Sequence, residues 1–561
     1  MIISAKKLEE ALVRPGYISK DDFSSAVKEA KKTKKDITDV LIDRELIKDE
    51  QLGRIIAEAL GFPFVVLSKE KIKSNVLRII PELVARSRNV IAFSEDENTI
   101  KIGITNPKDL EIIHNIEKKT GKHVLPYLAT KRDLRKNLTR YKSKIKEEIK
   151  DIIVSLGSNI SEEEKNKLNI KLVKLLLEYG YYNRASDIHV EPHESKVVVR
   201  FRIDGILHKV IEMPKNLLDY ILARIKILAK MKTDEHMSAQ DGKFQFRVNE
   251  ENIDVRVSII PVTKGENIVM RLLSAQQRQI SLQNLGLSSD DLDKIKRAIR
   301  LPYGMILVVG PTGSGKTTTI YEILKKLNTK EVHISTIEDP VEYDIEGISQ
   351  IQVNPKTNLT FAKGLRAIVR QDPDIIMVGE IRDPETANIA INSALTGHLI
   401  LSTMHANNSA TTFPRLLDMG IEPFLISSTI NLVIAQRLVR KVCEKCRFSY
   451  TISEEELLII KKDKNISDIL KAKNKDINSL TLYKGKGCEI CAGTGYSGRI
   501  GIFEVLEMTP QLKKLIINKS SSDKILKAAK REGMTTMLED GIDKVFTGLT
   551  TLSEVLRVTK L

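Results

Sequence analysis

The chain has 561 residues, 42% of them hydrophobic, and its 90 lysines and arginines exceed its 74 aspartates and glutamates by 16. That length is too great for one hydrophobic core and predicts roughly three or four domains. No apolar run approaches the ~18 residues that cross a bilayer, and Met1-Ile-Ile-Ser-Ala-Lys-Lys7 has too short an apolar stretch for a signal peptide, so a cytoplasmic protein is expected. The basic excess suits an anionic partner such as nucleic acid or the inner leaflet of a membrane, but the charges are interspersed throughout, as on a mixed soluble surface.

The first 61 residues contain a repeat offset by 29: Leu8, Leu12, Tyr17, Ile18, Phe23 and Val27 recur as Ile37, Leu41, Leu46, Ile47, Leu52 and Ile56. Each copy pairs two short helical patterns, predicting two helical hairpins packed face to face. Thr99-Ile-Lys-Ile-Gly-Ile104 then alternates at period two, as a strand does. This N-terminal domain spans 1–140. Residues 141–167 are dominated by Lys, Glu, Ser and Asn around Ile152-Ile-Val154 and read as a linker with a helical stretch.

A second α/β domain follows at 168–275, with strand candidates Lys196 to Ile203, Phe244 to Val248, Ile253 to Ile260 and Ile268 to Leu273. Asp241-Gly242 reads as a hairpin turn before one of them. Alternation puts Val199, Phe201 and Ile203 on one face and Arg200 and Arg202 on the other; Arg256 faces outward in the same way, and Arg271 follows on the last strand. Such a row of guanidinium groups suits phosphate oxygens, or forms a solvated charged sheet face.

After a linker at 276–285, residues 286–440 alternate strands and helices as a parallel α/β sheet does. The apolar run Met305-Ile-Leu-Val-Val309 leads into Gly310-Pro-Thr-Gly-Ser-Gly-Lys-Thr-Thr-Thr319 and then a helical pattern, which is the setting of a triphosphate-binding loop. Gly310, Pro311, Thr312, Gly313, Ser314, Gly315, Lys316, Thr317 and Thr318 form the candidate ATP site: the backbone N–H groups cradle phosphates, Lys316 reaches the β- and γ-phosphates, and Thr317 ligates Mg²⁺. Two further strands deliver Glu338-Asp-Pro-Val-Glu342 and Gly379-Glu380-Ile-Arg-Asp383 to the same sheet edge, where ligands of such folds bind. Glu338, Asp339 and Glu380, with Thr317, form the candidate Mg²⁺ cluster. Thr396-Gly-His398 and Thr403-Met-His405 frame one more strand and are placed to sense the γ-phosphate, although Gly397 also reads as a helix C-cap with His398 beside it.

The four cysteines fall in two pairs, Cys443-Glu-Lys-Cys446 and Cys488-Glu-Ile-Cys491. In a reducing compartment such pairs supply tetrahedral sulfur to a structural Zn²⁺ within an element at 441–500, ahead of a C-terminal helical segment at 501–561.

The run Leu365-Arg-Ala-Ile-Val-Arg-Gln-Asp-Pro-Asp-Ile-Ile-Met-Val-Gly-Glu-Ile-Arg-Asp383 resembles the signature of secretion ATPases, which serve type II secretion, type IV pilus assembly and pilus retraction. Glu338 to Glu342 resembles their aspartate box, the two histidine triplets their histidine box, and Ala185 to Pro192 with Arg200 to Gly205 their arginine domain. The resemblance implies a RecA-like P-loop core behind a PAS-like domain, with Glu342 as catalytic carboxylate, Glu380 and Lys316 beside it, His398 and His405 responding to nucleotide state, and Arg200, Arg202, Arg256 and Arg271 neutralising phosphate charge. It further implies a homohexamer acting on an inner-membrane platform protein, on the inner face of the cytoplasmic membrane, in pilus assembly or type II secretion. Cys488 to Ile502 resembles the tetracysteine element of assembly-type ATPases, which retraction motors generally lack. The N-terminal domain resembles a module that binds cyclic di-GMP in some of these ATPases. Its repeat begins at Lys7-Leu-Glu9 and Asp36-Ile-Thr38 rather than Arg-Leu-Gly, and carries Gly16 but Glu45 in the second copy, so cyclic di-GMP is not expected to bind. The domain is expected to dock a membrane-associated partner instead. A nucleic-acid motor is the competing class, and nucleic acid is not expected because aromatics are 5% of the chain and no basic single-face helix stands out.

Overall fold

The computed structural model describes residues 3, 5–33, 36–44, 46–138, 140–158, 160–248, 251–273, 281–473, 480–488 and 491–559. It divides into two units, Met1–Ala275 and Gln276–Leu561. Among the described residues no helix is long and apolar enough to cross a membrane.

The first unit opens with helices Ala5–Val13, Lys20–Thr33, Ile37–Asp43 and Asp49–Leu60. Repeat positions Leu8, Leu12, Ile18 and Phe23 and their counterparts Ile37, Leu41, Ile47 and Leu52 are buried in one cluster. Tyr17 departs from the pattern and stays exposed. Asp36 starts the third helix by accepting the Thr38 N–H, and Gly61 ends the fourth at φ 75°, a left-handed turn that favours glycine. Strands β1 (Val90–Glu95), β2 (Thr99–Ile104) and β3 (His123–Leu128) follow in a three-stranded sheet, β1 antiparallel and β3 parallel to β2.

The expected linker at 141–167 is a packed element. Helix Arg140–Leu156 buries Ile145, Ile149, Ile152 and Leu156, one helical stripe, in the same cluster as helix Glu162–Tyr182. Part of the Lys and Glu content that suggests a linker, Glu147 and Lys150, is exposed on this helix, and Glu162, Glu163 and Glu164 form the first turn of the next.

Strands β4 (Ala185–Pro192), β5 (Lys196–Ile203), β6 (Ile206–Pro214), β7 (Gln240–Val248), β8 (Glu251–Val262) and β9 (Gly265–Leu273) form an antiparallel sheet ordered β6-β5-β4-β9-β8-β7. Ile188, Val199, Phe201, Val255, Val257 and Met270 fill its buried face. Asp241-Gly242 lies inside β7 and is not a turn: a Cβ on Gly242 would meet the Ala229 carbonyl at 2.6 Å, so the glycine admits a close backbone approach. The connection from β7 to β8 runs through residues 249–250, outside the described set.

The second unit is built on seven strands, β10 (Gly304–Val309), β11 (Ile334–Glu338), β12 (Ile348–Gln352), β13 (Ile375–Val378), β14 (Leu399–Met404), β15 (Ile430–Val442) and, after the separate antiparallel pair β16 (Arg447–Thr451) and β17 (Thr481–Gly485), β18 (Tyr496–Glu507). Their order is β12-β11-β13-β14-β10-β15-β18, parallel except for β18, which lies antiparallel to β15. All six residues of β10 are buried, as a strand covered on both faces requires. The expected divisions at 440 and 500 are therefore not separate bodies. β18 completes the sheet, and Leu512, Ile525, Val545 and Val555 from the C-terminal helices share one core with Met305, Leu307 and Ile400. Of the expected linker at 276–285, residues 276–280 lie outside the described set, and Leu282 is buried against the sheet.

Candidate functional site

Because β10, β11, β13 and β14 run parallel, the segments leaving their carboxyl ends share one edge of the sheet. The loop Gly310 to Gly315 leaves β10 and feeds helix Lys316–Leu327, with Gly315 as its N-cap at φ 90°. Thr312, Gly313 and Thr317 are exposed at its mouth. Lys316 Nζ donates to the Gly310 and Pro311 carbonyls at 2.9 and 3.1 Å, folding over its own loop. Burial pushes the Lys316 ammonium below its ordinary pKa while the Glu380 carboxylate opposes the shift. Gln436 of β15, a residue the sequence motifs do not single out, braces the loop: its Nε2 donates to the Ser314 carbonyl at 2.6 Å and its Oε1 accepts from Thr319 Oγ1 at 2.7 Å.

Glu380 follows β13, is paired with Arg382, and lies 3.6 Å from His405 Nε2. His405 follows β14, the strand inserted between β10 and β13, and so stands between Lys316 and Glu380. Burial and the Lys316 ammonium push its imidazole pKa down, against the pull of Glu380. A neutral imidazole beside a lysine and a carboxylate is well placed to register an incoming phosphate charge.

His398 is not brought to this edge. It precedes β14, and the register pairs Gly304 with Leu399 and Val309 with Met404, so the two histidines stand about 20 Å apart at opposite ends of the sheet. His398 Nδ1 lies 3.0 Å from the Ser393 carbonyl and Gly397 has φ 113°, which is the helix-capping arrangement. Glu338 is likewise turned away from a metal-binding role. Its carboxylate is buried, Oε1 accepting from Thr336 Oγ1 at 2.6 Å and Gln350 Nε2 at 3.2 Å, and Oε2 accepting from Tyr321. Asp339 is exposed, and Glu342 is half-buried four residues beyond β11.

In the other unit the four arginines gather on the open face of the antiparallel sheet. Register aligns Arg202, Asp187, Arg271, Arg256 and Lys243 as one row across β5, β4, β9, β8 and β7. Asp187, itself buried, lies 3.3 Å from Arg202 Nε and accepts from Arg271 Nε at 3.0 Å. Arg200 sits opposite His189 in the neighbouring position and donates to Glu191 at 2.5 Å. The row presents planar donors with a fixed spacing, the arrangement that suits several phosphate oxygens at once.

The cysteines converge. Cys443 and Cys488 Sγ lie 3.8 Å apart, Cys446 and Cys491 3.9 Å, Cys488 and Cys491 3.7 Å, and all four fall within 4.8 Å. A tetrahedral metal with sulfur bonds of about 2.3 Å requires sulfur separations of about 3.8 Å, so the set fits a thiolate-bound ion such as zinc. The Cys488 and Gly495 N–H groups donate to Cys491 Sγ at 3.1 and 3.3 Å, as thiolate ligands are commonly supported.

A glycine-rich phosphate loop on a buried parallel strand, with Glu380 and His405 delivered to its edge by the next two strands of the sheet, defines a P-loop ATPase. Residues 162–557 match the family described as Type II/IV secretion system protein, and this chain belongs to that family as an ATP-hydrolysing enzyme. Residues 60–148 match the MshEN domain. The chain is 36% identical over 567 residues to the type IV pilus assembly ATPase PilB of Myxococcus xanthus, covering 98% of each. It is 38% identical over 505 residues to the type II secretion system ATPase E of Vibrio cholerae, covering 87% of this chain and 98% of that protein. The ATPase DotB of Yersinia pseudotuberculosis shares the fold, with a TM-score of 0.50 at 19% identity over 72% of this chain and 95% of that one.

Proposed function

We propose that this protein is a cytoplasmic hexameric motor, peripheral to the inner membrane, that couples ATP hydrolysis to type IV pilus assembly through a membrane platform protein. The observation that carries the reading is the convergence of Lys316, Glu380 and His405 at one sheet edge, in a chain alike over its whole length to a pilus assembly ATPase. A second reading, a type II secretion ATPase driving pseudopilus assembly, draws on the 44% identity over 402 residues to the type II secretion system protein E of Pseudomonas aeruginosa, which covers 72% of this chain and 78% of that protein.

In this reading the loop N–H groups and Lys316 hold the phosphates, and Thr317 and Glu380 would hold a hydrated Mg²⁺, which would supply positive charge to the triphosphate. Glu342 orients and deprotonates the attacking water, and His405 registers the γ-phosphate. Arg200, Arg202, Arg256 and Arg271 form the set that offsets phosphate charge, and the cysteines hold a structural Zn²⁺. Motion of the arginine-bearing domain on nucleotide binding and release converts the chemistry into displacement. The N-terminal domain docks a membrane-associated partner.

The Glu342→Gln variant is expected to bind ATP with near-normal affinity and to lose roughly 10²- to 10⁴-fold in turnover. Normal turnover would remove Glu342 from the catalytic role. Turnover of the intact protein should rise with the cytoplasmic part of a platform protein and not with single-stranded DNA; stimulation by DNA alone would sink the motor assignment.

A further inference from the structure

The buried hydroxyl of Tyr321 has no part in the grip on phosphate, yet it stands at the centre of a polar network outside the loop. Tyr321 lies one turn beyond Lys316 and Thr317 on the loop helix Lys316–Leu327 and is fully buried. Its hydroxyl donates to Glu338 Oε2 and accepts the Glu342 backbone N–H at 3.3 Å and Gln350 Nε2 at 3.4 Å. Its ring meets Tyr343 edge to face, with centroids 4.7 Å apart. Gln350 of β12 closes the clasp from the other side, donating to the Tyr343 carbonyl at 3.2 Å and accepting the Ile345 N–H at 2.7 Å. Apart from the contact with Gln350 on β12, the contacts of Tyr321 fall on the segment that carries Glu342 or on the strand end that launches it, and Gln350 itself bonds to that segment at Tyr343 and Ile345.

We propose that Tyr321 is a positioning residue that fixes the Glu342 segment to the phosphate-loop helix, with Glu338 and Gln350 as its anchors. The proposal rests on the assignment of Glu342 as the catalytic carboxylate. A rigid helix then joins the two halves of the site: its first turn grips the phosphates, and its second turn sets the height of the backbone from which Glu342 reaches the water. Glu338 serves this network, which explains why a carboxylate in the acidic cluster is buried away from the loop mouth. Both of its oxygens are occupied, by Tyr321 on one side and by Thr336 and Gln350 on the other. Burial and the Glu338 carboxylate raise the Tyr321 phenol well above its ordinary pKa, which keeps its O–H a donor throughout the working pH range. The clasp is polar and buried, so loss of the oxygen takes a donor from Glu338 and an acceptor from the Glu342 N–H together, while Gln350 keeps Glu338 and the Tyr343 carbonyl as acceptors.

The test is steady-state and single-turnover ATPase on full-length protein for Tyr321→Phe, Glu342→Gln and the double variant, with the affinity of a fluorescent ATP analogue measured in parallel. Tyr321→Phe removes one oxygen and keeps the ring. It is expected to lower kcat roughly 10- to 100-fold, because a small misplacement of a catalytic group costs that much, while KM and analogue affinity stay within about twofold. In the Glu342→Gln background the same change is expected to produce no further loss, since the group it positions is already gone. Unchanged kcat in Tyr321→Phe overturns the proposal, as does a loss of analogue affinity matching the loss of kcat, or an equal loss in the Glu342→Gln background. Normal turnover by Glu342→Gln alone would remove the underlying assignment and the proposal with it. Should Tyr321→Phe fail to fold, Gln350→Met reads the same clasp from the opposite side, with the same expected split between kcat and KM.

Discussion

Asp187 shows how one side chain organises a charged row. Placed between Arg202 and Arg271 by the sheet register, it offsets two guanidinium charges that flank it from the strands on either side of β4. Arg271 remains largely exposed while paired, so its other donors face outward. The pairing itself adds little stability at such exposure; its effect is to hold orientation. Arg271→Gln is therefore expected to leave the melting temperature within a few degrees of the parent while lowering ATP turnover ~10³-fold or more, the scale of a charge-neutralising arginine. Turnover equal to the parent would exclude Arg271 from the phosphate-facing set, and Arg271→Lys is not expected to restore it because an ammonium cannot reproduce the planar fork.

At the scale of elements, the β15 and β18 ribbon connects the cysteine cluster to the nucleotide edge. Cys443 follows the last residue of β15, and Cys491 precedes β18 by a short turn, so a metal there clips the far end of the ribbon. Along the same ribbon Gln436 braces the phosphate loop, and Glu504 accepts from the Ser409 N–H and Oγ at 2.9 and 2.5 Å, just beyond His405. Chelation of the metal, or Cys491→Ser, is expected to lower the melting temperature by several degrees, because a thiolate site contributes ~10 kcal/mol or more in small metal-folded domains and part of that here. Melting unchanged between metal-loaded and metal-stripped protein would count against a structural metal.

For the whole molecule, a hexameric motor predicts turnover that depends on assembly. Specific ATPase activity should fall on dilution in step with the loss of a six-chain species in sedimentation velocity, and a slowly hydrolysed ATP analogue should favour that species. A rate per chain that is independent of concentration while only single chains are present would overturn the ring requirement.

The phosphate loop and the cysteine pairs are legible in the sequence because each is a local pattern: the chain geometry that makes the site is contained within a few residues. The helical repeat is legible for the same reason, since its apolar positions recur at a fixed offset. Helix Arg140–Leu156 is less legible, because its Lys and Glu content masks the stripe from Ile145 to Leu156 until a partner helix shows which face is buried. The triphosphate loop, the paired cysteines and the arginines sharing one strand face follow from local sequence alone. Which carboxylates and histidines share the site follows from the tertiary arrangement. The order and parallel register of β10, β11, β13 and β14 bring Glu380 and His405 to Lys316, leave His398 at the opposite end, and turn Glu338 into the clasp around Tyr321. A strand's direction and neighbours depend on contacts between segments far apart in the chain, and no local pattern encodes them.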